Sequence, residues 1–292
     1  MSLLIKNGFM MTMTEQGSLV GDILIEGGRI VQVGTNIQPA AVGQSMTIDA
    51  AGLTILPGMI DLSIHECGFD RAYLSESAII AGITTSLLMP DDQERCMIMS
   101  AHAIFESAVT VVYASCMTDD QLSIRLNDCL SNEDRILCPI YSEHDCRRIL
   151  SAVGEDGKRI ILTGLAGCDE LAEEIARSGC SVVLGVQRAG NNPWALAAHL
   201  DRLGVCTAIS CFHPATKMKL LPVCVGLCMR EGMPHAQALR AITSNGADIL
   251  GLDDRGRIAP GTRADLVIFD GDPLLLASSR VMTIAEGKIS RK

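Results

Sequence analysis

The sequence predicts an α/β protein in two parts: a parallel, helix-covered sheet of barrel size, and a small β-domain assembled from both ends of the chain. Three observations carry this. At 292 residues the chain suits one barrel-sized core with a small appendage. From position 84 onward, apolar strand-like runs alternate with helical patterns, as parallel strands joined by crossover helices do. At either end the helical period disappears, and short β-like runs separated by glycine turns replace it.

In chain order, Leu3–Ile5, Asp22–Ile25 and Arg29–Val33 are short β-like runs divided by Asn7-Gly8 and Gly27-Gly28 turns. Thr54–Leu62 reads as the first barrel strand. Thr84–Met89, Val109–Ala114, Ile136–Tyr141, Arg159–Thr163, Ser181–Gly185 and Val205–Ser210 follow it, making seven. The helices between them are well punctuated: Asn192 and Pro193 open one, Leu196, Leu200 and Leu203 line its face, and Gly204 stops it. Another begins at Pro234. Ser142 is placed to cap a helix starting Glu143-His144-Asp145, whose carboxylates answer the helix dipole; an acid/base cluster is the sharper reading of the same triplet. The tail returns to β-like runs at Asp265–Phe269 and Val281–Ile284, with turns at Gly271-Asp272-Pro273 and Glu286-Gly287. Neither end has enough strands to bury a face, so the economical arrangement is one β-domain from residues 1–53 with 255–292, beside a barrel over 54–254.

A net charge of −10, with 24 Lys and Arg residues and no basic run, argues against nucleic acid or an anionic membrane as partner and leaves a small molecule or a protein. The first residues lack a signal-like pattern, and no uncharged apolar stretch is long enough to span a bilayer, which points to a cytoplasmic protein. Twelve cysteines, none spaced C-x-x-C, are expected to be buried thiols rather than a disulfide framework. Cys224 and Cys228, four apart, read as one buried helical stripe. Gly164–Gly167 lacks the Lys-Ser/Thr that a phosphate loop requires. Asp91-Asp92 reads as a solvated loop, with ligand contact as the alternative.

Four segments in order resemble one family. They are Leu53–His65, with the frame Leu-Pro-Gly-x-Ile-Asp-x-x-x-His; Ala81-Gly-Ile-Thr-Thr85 followed by Met89-Pro90; Gln237–Ala247 with Ile249–Leu252; and Gly256–Gly261 with Ala264–Asp270. The chain resembles the amidohydrolase superfamily, in particular its imidazolonepropionase-like and dihydroorotase-like branches. The resemblance implies a TIM-like (β/α) barrel of seven or eight strands. It also implies one or two divalent metals at the C-terminal mouth, held by a His-x-His pair after the first strand, a histidine after each of two middle strands and an aspartate after the last. Such a metal lowers the pKa of bound water from 15.7 towards about 7, and the aspartate takes the proton. The reaction implied is hydrolysis of non-peptide C–N bonds in cyclic or linear amides.

Carried over residue by residue, that ligand set is largely missing. Ser63 stands at the first member of the His-x-His pair and His65 at the second. Cys138-Pro139 ends a middle strand where a histidine is expected, Thr163 ends the next, and Cys211 in Cys211-Phe-His213-Pro stands where the aspartate belongs. A lone imidazole does not hold a divalent ion in water, so the expectation is a metal-free, catalytically inactive barrel with no cofactor and with Ser63, His65, Cys67, Pro139, Thr163, Cys211 and His213 around its mouth. His65 itself reads either as a residual ligand or as a strand-end polar residue bonded to a neighbour. Two alternatives stand beside this. One is an active hydrolase, with zinc on a rebuilt His65, Cys67, Cys211 and His213 site or with Cys211 as a nucleophile. The other is a non-catalytic binding or scaffold subunit that pairs with an active paralogue or with itself. Strands recurring every 22–27 residues leave little room for specificity loops. Either Cys96–Ser100 supplies an eighth strand or the barrel is open or distorted.

Overall fold

The computed structural model describes residues 2–38, 45–89, 95–100, 104–132, 135–153, 157–165, 167–186 and 192–290; the Asp91-Asp92 pair lies outside them. The chain opens with five strands, β1 (Ser2–Met11), β2 (Ser18–Glu26), β3 (Arg29–Gly34), β4 (Ser45–Asp49) and β5 (Thr54–Pro57). Asn7-Gly8, expected as a turn, instead lies inside β1 as a bulge: Asn7 takes φ +61°, and its N–H is satisfied by Asp22 Oδ1 at 3.0 Å, so the strand kinks and continues. Gly27-Gly28 does form a hairpin turn, with φ of +57° and +79°, values that glycine adopts without strain.

The barrel segment follows as β6 (Met59–His65), α1 (Arg71–Ala81), β7 (Ile83–Met89), β8 (Arg95–Ser100), β9 (Ile104–Val111), α2 (Asp119–Ser131), β10 (Arg135–Pro139), α3 (Glu143–Val153), β11 (Ile160–Thr163), α4 (Ala172–Ser178), β12 (Ser181–Leu184), α5 (Pro193–Arg202), β13 (Thr207–Ile209), α6 (Leu221–Arg230), α7 (His235–Arg240) and α8 (Ser244–Leu250). The tail closes with β14 (Leu266–Phe269), β15 (Arg280–Ala285) and β16 (Lys288–Ser290). Capping follows the sequence: Thr118 and Gln121 form a capping box on α2, Ser142 Oγ accepts from the Asp145 N–H at 3.2 Å, and Asn192 with Pro193 opens α5. The Glu143-His144-Asp145 triplet is thus a helix start, with Glu143 paired to Arg147.

Two eight-stranded sheets result. One runs β16-β15-β14-β5-β1-β2-β3, with β4 on β1, so both chain ends build it. The stretch 54–62, expected as one barrel strand, is two. Thr54–Pro57 pairs with β14 and β1 in the terminal sheet, and the barrel begins only at Met59. The core of this sheet includes Ile5, Ile23, Ile55, Leu266 and Ile284.

The second sheet runs β6 through β13 in sequence order and is a nearly closed barrel. Arg95–Ser100 is indeed the eighth strand, but it runs antiparallel to β7 and β9. Helices cover the outside, and Ile60, Leu62, Leu137, Ile161 and Val183 pack the interior, so the barrel is a filled core rather than a pore. The seam between β6 and β13 is held in three ways. The Ala241 and Ile242 carbonyls accept from the Ile209 and Ile60 N–H groups at 2.9 and 2.8 Å, so the backbone between α7 and α8 is wedged into the lower seam. Ile64 and His213 form an isolated parallel bridge at the top, where the His65 N–H meets the His213 carbonyl at 3.0 Å. Between these lies a buried carboxylate, Asp61. Among the described residues no helix is long and apolar enough to cross a membrane.

Candidate functional site at the barrel mouth

The strand ends of a parallel barrel converge at its C-terminal face, and there the chain forms a cavity of about 310 Å3. Register explains which side chains reach it. On β10 and β11, Leu137 and Ile161 point into the barrel, so Pro139 and Thr163, two residues on and paired in register, face the same way at the rim. On β6 a register shift between Asp61 and Ile64 inserts an extra residue. Beyond it Ser63 and His65 face the cavity, while the Asp61 carboxylate is used at the seam.

Ser63, His65, Pro139 and Thr163 all line this cavity. Ser63 Oγ lies 3.2 Å from His65 Nε2 and 3.8 Å from Met89 Sδ, so the imidazole engages a hydroxyl where the resemblance put a second imidazole. Thr163 is 3% exposed, and its Oγ1 has no hydrogen-bond partner. Cys211 does not line the cavity. It is fully buried, its Sγ–H donates to Asp61 Oδ2 at 2.7 Å, and its N–H reaches the same oxygen at 3.2 Å. Burial first, and the neighbouring Asp61 second, push the Cys211 thiol well above the ordinary range. A thiol buried off the cavity lining and bonded to a carboxylate is poorly placed to act as a nucleophile.

The rebuilt zinc site is corrected. Cys67 is exposed in the loop after β6, and the His213 ring packs against Phe69, with centroids 5.3 Å apart, instead of facing the cavity. Both His213 ring nitrogens are buried without hydrogen-bond partners, and burial lowers its pKa, so the ring is held neutral. Among the described residues, no group of three or more His, Cys, Asp or Glu side chains could hold a metal ion. The donors at the family's ligand positions are two hydroxyls, a proline ring and a protonated thiol beside one imidazole. That set does not fit a divalent metal.

Asp61 is the residue that sequence reasoning passed over. It is 0% exposed and accepts from the Ser63 N–H at 3.1 Å, from Cys211, and from the Ser210 hydroxyl through a short hydrogen bond. Its signal was a carboxylate inside an apolar strand run, which demands buried partners. Tyr113 and Tyr141, which line the cavity, fall within the runs read as strands but lie just beyond the ends of β9 and β10, and nothing in the sequence marks them as cavity residues.

A sequence profile described as "Amidohydrolase family" matches residues 185–291. A dihydroorotase-like protein of Pseudomonas aeruginosa is 45% identical over 76 residues, which cover 24% of this chain and 18% of that protein. An adenine deaminase of Ligilactobacillus salivarius is 24% identical across 92% of this chain and 54% of its own length. The matched region therefore spans about half the length of these curated relatives, or less. A solved amidohydrolase from Thermotoga maritima MSB8 superposes with a TM-score of 0.83 at 18% identity, covering 99% of this chain and 100% of that one. The fold across the chain is that of solved amidohydrolases: a barrel with a composite β-domain. Residues 185–291 thus match the amidohydrolase family in sequence, and the whole chain resembles the amidohydrolase superfamily in fold.

Proposed function

We propose that this chain descends from hydrolases of non-peptide C–N bonds but has lost metal-hydroxide chemistry, and that it serves as a metal-free binder of a small molecule at the barrel mouth. The observation that carries the reading is the use of Cys211: the group at the family's aspartate position is committed to Asp61 and cannot accept a proton from water. Hydrolysis in this superfamily needs both a metal that ionises water and a carboxylate that receives its proton. Here Ser63 and Thr163 offer only neutral hydroxyls, and Pro139 offers no donor at all. The cavity itself persists, over a packed barrel core and with Ser63, His65 and Thr163 among its lining, as a binding site requires.

Elemental analysis of the purified, zinc-exposed protein tests the reading: less than about a tenth of a metal per chain is expected, since each missing ligand is a bond that water must replace. About one zinc per chain, abolished by His65→Ala or Cys211→Ser, would overturn it. The reverse experiment replaces the ligands together. The triple variant Ser63→His, Thr163→His, Cys211→Asp is expected to gain metal that the parent lacks, because it restores imidazoles and a carboxylate to positions that line or adjoin one cavity.

A further inference from the structure

We infer that the mouth cavity takes an uncharged, planar ring compound, held between aromatic side chains and fixed by one polar edge on Thr163. The inference rests on the binding role proposed above and specifies its ligand. Its first support is composition. The described lining carries no Lys, Arg, Asp or Glu, and its charge-capable member is a single histidine paired with Ser63. An anionic ligand would meet no counter-charge among these residues and would approach a chain of net charge −10.

The second support is where the aromatic residues are. The chain has only one Trp, three Tyr and five Phe, yet all three tyrosines and two phenylalanines stand on the segments that follow the barrel strands at this face. Tyr113 and Tyr141 follow β9 and β10 and line the cavity while 44% and 51% exposed; Phe212 lines it from beyond β13. Phe69 and Tyr73, at the start of α1, stack on each other with centroids 5.7 Å apart. The rings of Tyr113 and Tyr141, about half exposed at the edge of this cavity, leave apolar surface in water in the unliganded chain. That surface is buried when a flat partner covers it.

The third support is independent of both. Thr163, which lines the cavity, has its Oγ1 buried with no hydrogen-bond partner, an unfavourable state until something bonds to it. A ligand hydroxyl, carbonyl or ring nitrogen would satisfy it. The Ser63–His65 pair offers a second polar contact across the same cavity. At about 310 Å3 the space lies near the lower limit for small-molecule sites, which suits one ring or a fused pair.

Three probes of similar size separate the alternatives: 2-naphthol is neutral and planar, 2-naphthoate has the same rings with a carboxylate, and 1-adamantanol is neutral but globular. Binding to the full chain is measured by calorimetry, with ligand-observed NMR for weak cases. The expected result is saturable 1:1 binding of 2-naphthol with the other two at least about tenfold weaker, the difference that one well-made contact represents. Thr163→Val should weaken 2-naphthol by up to about tenfold and Thr163→Ser should restore it, since tenfold is about 1.4 kcal/mol, the upper end of what one neutral hydrogen bond contributes. Tyr141→Ala should weaken it about fivefold, within the range of a lost aromatic contact. Equal or tighter binding of 2-naphthoate, or no binding of 2-naphthol at 1 mM to folded protein, would overturn the inference. Each titration is run on chelator-treated and on zinc-supplemented protein. Zinc uptake with naphthol binding intact refutes the metal-free reading alone, and absent naphthol binding without zinc uptake refutes this inference alone.

Discussion

Replacing Asp61 by alanine should unhinge the barrel seam, and the size of the effect follows from what the carboxylate holds. Among the described residues the backbone bridges this seam once, at Ile64 and His213 beyond the end of β13, so the middle of the seam depends on Asp61 accepting from the Ser63 N–H, the Cys211 N–H and thiol, and the Ser210 hydroxyl. In Asp61→Ala the Ser210 hydroxyl can turn to the Ser63 carbonyl, 3.4 Å away, but two backbone N–H groups remain buried and unmet. At roughly 1–3 kcal/mol for each stranded donor, with a credit for no longer burying a carboxyl group, the net cost is about 3–4 kcal/mol. For a chain of this size that corresponds to a melting temperature lower by roughly 6–12 °C. Asp61→Asn keeps the shape and one acceptor and should lose about half as much. Urea unfolding of both variants, with a double-mutant cycle against Ser210→Ala, gives the measurement, and a coupling of about 1–2 kcal/mol is expected. A loss below 1 kcal/mol for the alanine variant, or additive effects in the cycle, would refute the claim that this network closes the barrel.

The same residue carries a pH signature. Burial raises the Asp61 carboxyl above its ordinary value, against the opposing pull of hydrogen bonds from Cys211 and Ser210. A native state that holds its proton more tightly than the unfolded chain has that stability in full below the unfolded pKa of about 3.9, and loses it as pH rises through the folded value. The asparagine variant cannot titrate there. Its stability deficit relative to the parent should therefore narrow as pH is raised from about 4 towards neutrality.

Three further outcomes follow from the packing. Brief alkylation of the native protein should modify the exposed Cys67 and Cys116 first and leave Cys138 and Cys211 untouched until denaturant is added, because burial pushes both of those thiols up; mass spectrometry reading Cys211 as fast as Cys67 would contradict this. His213→Phe removes two unsatisfied buried nitrogens while keeping a ring against Phe69, so it should change stability by less than about 0.5 kcal/mol or increase it; a loss above 2 kcal/mol in urea would show that the imidazole has a partner after all. Gly185→Ala places a methyl 2.1 Å from the Ser210 carbonyl oxygen and 2.5 Å from the Phe212 ring, and the forced shift at the β12–β13 edge should cost about 1–3 kcal/mol by thermal melting.

Much of this protein is legible in its residues taken locally. The change of period at each end marks the terminal β-domain because a strand's side chains alternate by two and a helix's by 3.6, and a sequence carries either period without any partner. Pro193 and Gly204 mark a helix start and the turn after its end for the same reason: backbone freedom is a property of the single residue. The convergence of Ser63, His65, Pro139 and Thr163 could be expected because they end parallel strands, whatever their chemistry.

What required the tertiary structure was every feature set by a partner distant in sequence. Thr54–Leu62 is one apolar run, and only its neighbours, β14 on one part and β7 on the other, divide it between two sheets. The direction of Arg95–Ser100 is invisible in six residues. It is set by the five residues between Met89 and Arg95, too few for a parallel crossover, so the strand must turn back. Cys211 and Asp61 lie 150 positions apart. Neither residue type reveals that one holds the other's proton in place, because a buried group's charge state is decided by the desolvation and hydrogen bonds that surround it, and those exist only after the barrel has closed.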